Sequence, residues 1–145
     1  MTERGFLMAN ILVVDDSVTY RKTLRKLLEE GGHTIVGEAG DGVQAIDQYQ
    51  KLKPDLTTMD ITMPVMNGLD ALSWIMEYDS SALVIMVSSS AQASKIKESI
   101  EMGALDFLPK PFQSQKVLEA VDKILNAVNS GSDQELNLSD MGFLD

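Results

Sequence analysis

The sequence has no cysteine among its 145 residues. Without cysteine there can be no disulfide, no thiolate zinc site and no thiol nucleophile, and a cytoplasmic location is expected. No apolar run approaches the roughly 20 residues that are needed to cross a bilayer. The first ten residues also lack the apolar stretch of a signal peptide. We therefore expect no membrane partner.

Positive charge is scarce. Twelve Lys and Arg residues stand against 22 Asp and Glu residues, so the formal net charge is −10. Nucleic-acid binding needs a clustered positive surface, and we therefore expect no nucleic-acid partner. The one basic run, Arg21, Lys22, Arg25 and Lys26, is typical of a solvated helix face, although a docking surface for an acidic partner has the same pattern.

Short apolar segments alternate with segments of helical period along nearly the whole chain. Strands are predicted at ANILVVDD, HTIVGEAG, LTTMD, ALVIMVS and LDFLP. Five strands alternating with five helices predict an α/β fold with a doubly wound five-stranded parallel sheet. This domain is predicted over residues 9–129. Residues 1–8 form a lead-in, and residues 130–145 form an acidic and partly apolar tail.

Local signals give more detailed expectations for the helices. Ser17 directly precedes the first helical segment and is predicted to be its N-cap. The apolar periodicity of the second helix predicts that Val43 faces the core, with Leu52 as a weaker candidate. The stripe of the last helix includes Val128. His33 has no recognisable partner pattern, and we expect it to be exposed at the start of the second strand.

Polar side chains collect at the predicted carboxyl ends of the strands. Asp15 and Asp16 end the first strand, Asp60 ends the third, Ser88 ends the fourth, and Lys110 follows the fifth. Sites in open α/β sheets form at this edge. Three neighbouring carboxylates repel one another unless a hard cation such as Mg²⁺ joins them. A carboxylate nucleophile, a magnesium site, an ammonium and a hydroxyl are together the parts that phosphoryl transfer needs.

Five segments carry a family resemblance, in order and at family spacing. They are ILVVDDS, GEAGDGVQAI, TMDITMPVMNGLDAL, VIMVSSS and GALDFLPKPF. The chain resembles the response-regulator receiver domains, in particular the CheY-like chemotaxis regulators, over roughly residues 9 to 128. The resemblance implies a flavodoxin-like (CheY-like) sheet with strand order 2-1-3-4-5.

The resemblance also implies roles for the acidic residues. Asp60 matches the phosphoacceptor of the family. Asp15 and Asp16 match its acidic pair, in which Asp16 is a direct metal ligand and Asp15 acts largely through water. Thr62 matches the position whose backbone carbonyl completes the metal shell.

Three further positions match the family's switch. Ser88 matches the hydroxyl that moves onto the phosphoryl group, and Lys110 matches the active-site lysine. The Lys110–Pro111 peptide bond matches one that the family holds cis. Phe107 matches the aromatic switch residue, although the best-known relatives have tyrosine there and this chain therefore lacks the phenolic hydroxyl.

The implied function is that of a single-domain response regulator. A chemotaxis histidine kinase would phosphorylate Asp60 with Mg²⁺ bound, and the change would alter binding to a flagellar motor switch protein. A dedicated phosphatase is a further implied partner. The protein would be no enzyme beyond catalysing its own phosphorylation and dephosphorylation.

A degenerate receiver that serves only as a scaffold is disfavoured because the site is complete, but two other functions fit parts of the same pattern. One is a phosphorelay intermediate that passes the phosphoryl group to a histidine phosphotransfer protein, for which the basic first helix would suit an acidic partner. The other is a metal-dependent phosphatase. Phosphatases of that class usually have a second acid two residues after the nucleophile, where this chain has Thr62.

Two regions are candidate partner contacts. A step of 100° per residue places Trp74 on the side of the third helix opposite to its inward residues, with Tyr78 one turn further on. The tail carries Leu138, Met141 and Leu144 at three-residue spacing, which is typical either of a disordered terminus or of a short docking segment.

Overall fold

The computed structural model describes residues 8–90 and 92–130. The elements in chain order are β1 Asn10–Val14, α1 Val18–Glu30, β2 Thr34–Ala39, α2 Gly42–Leu52, β3 Leu56–Met59, α3 Gly68–Tyr78, β4 Val84–Ser88, α4 Ala93–Met102, β5 Asp106–Pro109 and α5 Ser114–Ser130. All strand pairs are parallel, in the order β2-β1-β3-β4-β5. The predicted fold class and strand order are confirmed.

The central strands are apolar throughout because helices cover both faces of the sheet. Successive residues of β1 point to opposite faces. Ile11 and Val13 enter a first apolar layer beneath α1 and α5. Leu12 and Val14 enter a second apolar layer beneath α2, α3 and α4. Both faces of the sheet are therefore packed against helices. These two layers fix the position of the edge at which the carboxyl ends of the strands lie.

Side-chain caps define where α1 and α3 begin, on the carboxyl side of β1 and β3. Ser17 Oγ accepts a hydrogen bond from the Tyr20 N–H at 3.2 Å, so the predicted N-cap of α1 is confirmed. Asn67 caps α3 in the same way, accepting from the Asp70 N–H at 2.9 Å. Such caps satisfy N–H groups that the first helical turn leaves without partners. They fix the ends of the loops that follow β1 and β3, at the edge where the polar residues collect.

Three apolar side chains that were predicted to face the core are instead exposed. Val43 is 49% exposed because the inward face of α2 runs through Ala45 and Tyr49. Leu52 is 37% exposed and lies over Gly37 of the edge strand β2. Val128 is 43% exposed. α5 has 17 residues and is about 25 Å long, so its last turn extends past the short strands beneath it.

His33 is buried, and the expectation that it is exposed is wrong. Its Nδ1 accepts a hydrogen bond from the Ala9 N–H at 3.1 Å, and its Nε2 lies 3.8 Å from Asp122 Oδ1 on α5. The ring therefore joins the chain entering β1 to the start of β2 and to α5. Within residues 8–90 and 92–130, none of the helices combines the length and apolar character needed to span a membrane.

Candidate functional site

Two buried carboxylates lie side by side at the carboxyl edge of the sheet. Asp15 follows β1 and donates its N–H to Ala39 O at 3.0 Å, and Asp60 follows β3 and donates its N–H to Val14 O at 3.0 Å. The parallel hydrogen-bond pattern thus continues one residue past each strand. Asp16, which is exposed, completes a cluster in which carboxylate oxygens of all three residues lie within 4.8 Å of one another.

Lys110 places its ammonium between the two buried carboxylates. Its Nζ lies 2.6 Å from Asp15 Oδ2 and 3.1 Å from Asp60 Oδ2, and its side chain is only 5% exposed. The Lys110 N–H donates to Ser88 O at 3.0 Å, and the Lys110–Pro111 peptide bond is cis, as expected. Burial disfavours the ammonium, but the contacts with Asp15 and Asp60 outweigh it and raise the pKa of Lys110.

The electrostatics of Asp15 are dominated by its burial. Loss of water raises the pKa of Asp15 above its ordinary value of 3.8, although the Lys110 ammonium and a hydrogen bond from Ser17 act in the opposite direction. That bond runs from the Ser17 N–H to Asp15 Oδ1 at 2.9 Å. Ionised Asp15 is therefore held at a net cost in free energy, which a bound cation would reduce.

The oxygen atoms at this edge fit a hard divalent cation. Asp60 Oδ1 is buried and accepts no hydrogen bond from any residue that the structure describes. A buried acceptor without a partner is costly unless a cation or an electrophile meets it. Carboxylate oxygens are ligands that Mg²⁺ prefers. Asp15, Asp16 and Asp60 could therefore hold such an ion between them.

Replacing Asp15 with asparagine is expected to raise the free energy of unfolding at pH 7, without divalent cations, by about 1 kcal/mol. Folding raises the pKa of Asp15, so the folded state loses stability as the pH rises from 3.8 through the raised pKa of the folded protein. Asparagine cannot ionise, so the variant does not suffer this loss. Urea unfolding at pH 7 and at pH 3.5 would measure the effect, which should disappear at the lower pH. Lower stability of the variant at pH 7 would contradict it.

The remaining predicted site residues surround this group without all converging on it. Ser88 is fully buried at the end of β4, where its Oγ accepts from the Ser90 N–H at 3.2 Å. Thr62 is exposed in the loop between β3 and α3. Phe107 is half-buried in β5, paired in register with Met86 and packed against the second apolar layer. The structure thus brings the three acids and Lys110 together, with Ser88 next to Lys110 through the backbone.

Gly68 supports Asp60 in a way that the sequence did not reveal. Its N–H donates to Ile61 O at 2.7 Å. A Cβ at this position would overlap the carbonyl oxygen of Asp60 and lie 2.8 Å from its carbonyl carbon. The sequence showed only an Asn-Gly pair, typical of a turn. The first turn of α3 instead packs directly on the backbone that carries the acid.

Arg21 of α1 binds the backbone of the loop that carries Asp15. Its Nη1 donates to the Asp15 carbonyl oxygen at 2.6 Å, while its Nε donates to Glu38 Oε1 at 2.9 Å. Arg25 pairs with the same glutamate, with Nη2 2.7 Å from Glu38 Oε2. Two cations of the basic run are therefore engaged within the domain. Lys22 and Lys26 remain as its exposed members, which weakens the interpretation of this run as an acidic-partner surface.

Trp74 lies less far outward than predicted, and its role as a partner contact stays a prediction. Its indole is half-buried against the second apolar layer and stacks on the Tyr78 ring, with centroids 5.2 Å apart. Tyr78 is 47% exposed, and its ring also meets the buried Tyr49 edge-on at 6.3 Å. The tail residues Leu138, Met141 and Leu144 lie outside the described residues.

Comparison with known proteins identifies the class. The family model for the response regulator receiver domain matches residues 11–122, and the chain belongs to this family. More particularly, it is a CheY-like response regulator of two-component signalling.

Two curated relatives illustrate the similarity. Protein CcdB of Bacillus subtilis is 52% identical over 118 residues, which cover 81% of this chain and 98% of that protein. The chemotaxis protein CheY of Thermotoga maritima is 44% identical, over 79% of this chain and 95% of that protein.

A solved structure of similar fold is the CheX–CheY–BeF₃–Mg²⁺ complex from Borrelia burgdorferi. The TM-score is 0.78 at 39% sequence identity, and the match covers 79% of this chain and 87% of that chain.

Proposed function

We propose that this protein accepts a phosphoryl group on Asp60 from a chemotaxis histidine kinase, and that phosphorylation changes its binding to a flagellar motor switch protein. The observation that carries the proposal is the state of the Asp60 carboxylate. Oδ2 is held by Lys110 at 3.1 Å, whereas Oδ1 is buried without a hydrogen-bond partner among the described residues. One oxygen is therefore anchored, and the other is available to attack.

The proposed transfer has a simple balance of bonds. Asp60 Oδ1 attacks the phosphorus atom of the donor, the bond between phosphorus and the donor breaks, and the donor leaves with the bonding electrons. The product on Asp60 is an acyl phosphate. The Lys110 ammonium and the Ser88 hydroxyl then donate hydrogen bonds to the phosphoryl oxygens. The Phe107 side chain rotates inward in response.

Mg²⁺ is the proposed cofactor, with Asp16 and Asp60 as direct ligands, Asp15 largely through water, and the Thr62 carbonyl as a further ligand. When bound, the ion neutralises charge on the transferring oxygens. Support comes from the acidic cluster and from the Borrelia structure, a complex of CheY with CheX, BeF₃ and Mg²⁺. We further propose that catalysis is limited to the protein's own phosphorylation and dephosphorylation.

The chemotaxis assignment is supported by the similarity to CheY proteins at 42–46% identity from four genera. The Borrelia complex, in which CheY is bound to CheX, supports the existence of a regulatory partner, and we propose a dedicated phosphatase as one such partner. The phosphorelay alternative has less support, because Glu38 engages two of the four basic residues on α1.

The test compares binding before and after activation of the full chain. The protein with Mg²⁺ and beryllofluoride is titrated with a peptide from a flagellar motor switch protein, and its affinity should rise by about tenfold or more relative to Mg²⁺ alone. An Asp60→Asn variant is the matched control and should show no rise. Phosphorylation of Asp60 by acetyl phosphate without any change in peptide affinity would overturn the motor-switch part alone.

A further inference from the structure

We infer that Tyr20 is a positioning residue for Lys110 during phosphoryl transfer, an inference that rests on the proposed function. The Lys110 Nζ lies over the face of the Tyr20 ring, 4.0 Å from its centroid. This distance is well within the range in which an ammonium is attracted by the negative face of an aromatic ring. Tyr20 belongs to α1, whereas Lys110 follows β5, so only the folded chain brings them together.

The ring completes the surroundings of the ammonium. An ammonium has three N–H donors. Asp15 Oδ2 and Asp60 Oδ2 lie 2.6 Å and 3.1 Å from Nζ, and the Tyr20 ring face provides a third attractive contact. The Lys110 side chain is 5% exposed, so water contributes little here and the ring acts with little screening. Three contacts from three elements hold one charged atom at the site.

The contact of Lys110 with the Tyr20 ring differs in kind from its contacts with the two carboxylates. Phosphorylation places new negative charge on Asp60, and the ammonium has to turn toward it. Asp15 carries a negative charge and competes with the phosphoryl group for Lys110. The ring attracts the ammonium through its quadrupole without carrying a net charge. Tyr20 can therefore keep Lys110 within the site while the lysine exchanges one anionic partner for another.

Tyr20 is held in place through both its backbone and its ring. The Tyr20 N–H donates to Ser17 Oγ in the N-cap of α1, at 3.2 Å. Its ring lies 5.9 Å from the ring of Phe112 with an interplanar angle of 52°, a tilted arrangement typical of aromatic pairs. Phe112 follows the Lys110–Pro111 peptide directly. Tyr20 therefore joins the loop that bears Asp15 to the loop that bears Lys110.

Lys110 contacts the face of the Tyr20 ring and not its hydroxyl, so two variants can separate the role of the ring from that of the hydroxyl. Tyr20→Phe keeps the ring and removes only the hydroxyl, so it should phosphorylate within about twofold of the wild-type rate. Tyr20→Leu keeps an apolar side chain but has no quadrupole. At saturating acetyl phosphate and Mg²⁺ it should be slower by about tenfold, as expected for loss of a desolvated cation–π contact.

The experiment follows the phosphorylated fraction over time by intact-mass spectrometry, in full-length protein that urea unfolding shows to be folded. A double-mutant cycle separates positioning from a general structural effect. In a Lys110→Ala background, Tyr20→Leu should cause no further slowing, because Tyr20 acts through the ammonium. Rescue of the rate by Tyr20→Phe completes the expected pattern.

Three results would overturn the inference. Tyr20→Leu could phosphorylate as fast as the wild type, Tyr20→Phe could be as slow as Tyr20→Leu, or Tyr20→Leu could slow the Lys110→Ala protein by the same factor as the wild type. Each is distinct from failure of the proposed function. If the proposed function itself were wrong, the wild-type protein would take up no phosphoryl group from acetyl phosphate.

Discussion

Replacing Asp60 with asparagine is expected to abolish phosphorylation while preserving the fold. Asparagine has nearly the same size, and its amide oxygen can still accept from Lys110, which lies 3.1 Å from Asp60 Oδ2. A neutral amide is, however, a far weaker nucleophile than a carboxylate and a poorer ligand for Mg²⁺. Intact-mass spectrometry after treatment with acetyl phosphate and Mg²⁺ should show an added mass of about 80 daltons on the wild type only.

Asp47→Asn serves as the matched control for this experiment. Asp47 lies on α2, its side chain is 53% exposed, and its ion pair is with Lys51 one turn along the same helix. This variant should acquire the added mass at the wild-type rate, because a solvated ion pair of this kind contributes little. Formation of the adduct in the Asp60→Asn protein, on any other residue, would contradict the assignment of the nucleophile.

Replacing Gly68 with alanine is expected to lower the free energy of unfolding by about 3 kcal/mol. The new Cβ would overlap the carbonyl oxygen of Asp60 and lie 2.8 Å from its carbonyl carbon. These are backbone atoms, so no rotamer change can remove the overlap. Either the first turn of α3 moves away or Asp60 is displaced, and in both cases the bond from the Gly68 N–H to Ile61 O is strained. Phosphorylation should slow as well, since Asp60 would lose its alignment with Lys110.

Gly40→Ala is the control for the glycine experiment. A Cβ on Gly40 would meet only side-chain atoms, of Arg21 at 3.5 Å and Gln44 at 3.7 Å, which are ordinary contact distances. Its free energy of unfolding should stay within about 0.5 kcal/mol of the wild type. Urea unfolding of both variants measures the difference. A Gly68→Ala protein as stable as Gly40→Ala would show that α3 does not pack on the Asp60 backbone as described.

The sequence alone determined the architecture and the chemical content of the site. Apolar runs of strand length alternating with helical segments are local signals, and they predict a parallel sheet because parallel strands need helical crossovers. The carboxyl ends of such strands meet at one edge, so the sequence pattern is enough to place Asp15, Asp60 and Lys110 together. The structure brings these three side chains into direct contact.

The tertiary structure alone decided which side chains support the site and which are exposed. The Tyr20 ring meets Lys110 and the Gly68 backbone meets Asp60 only through packing of helices against loops, which has no local signal. His33 is buried because α5 and the chain entering β1 lie over it. Val128 is exposed because α5 outruns the sheet. Periodicity tells which face of a helix is apolar, but the lengths and contacts of neighbouring elements decide how much of that face is covered.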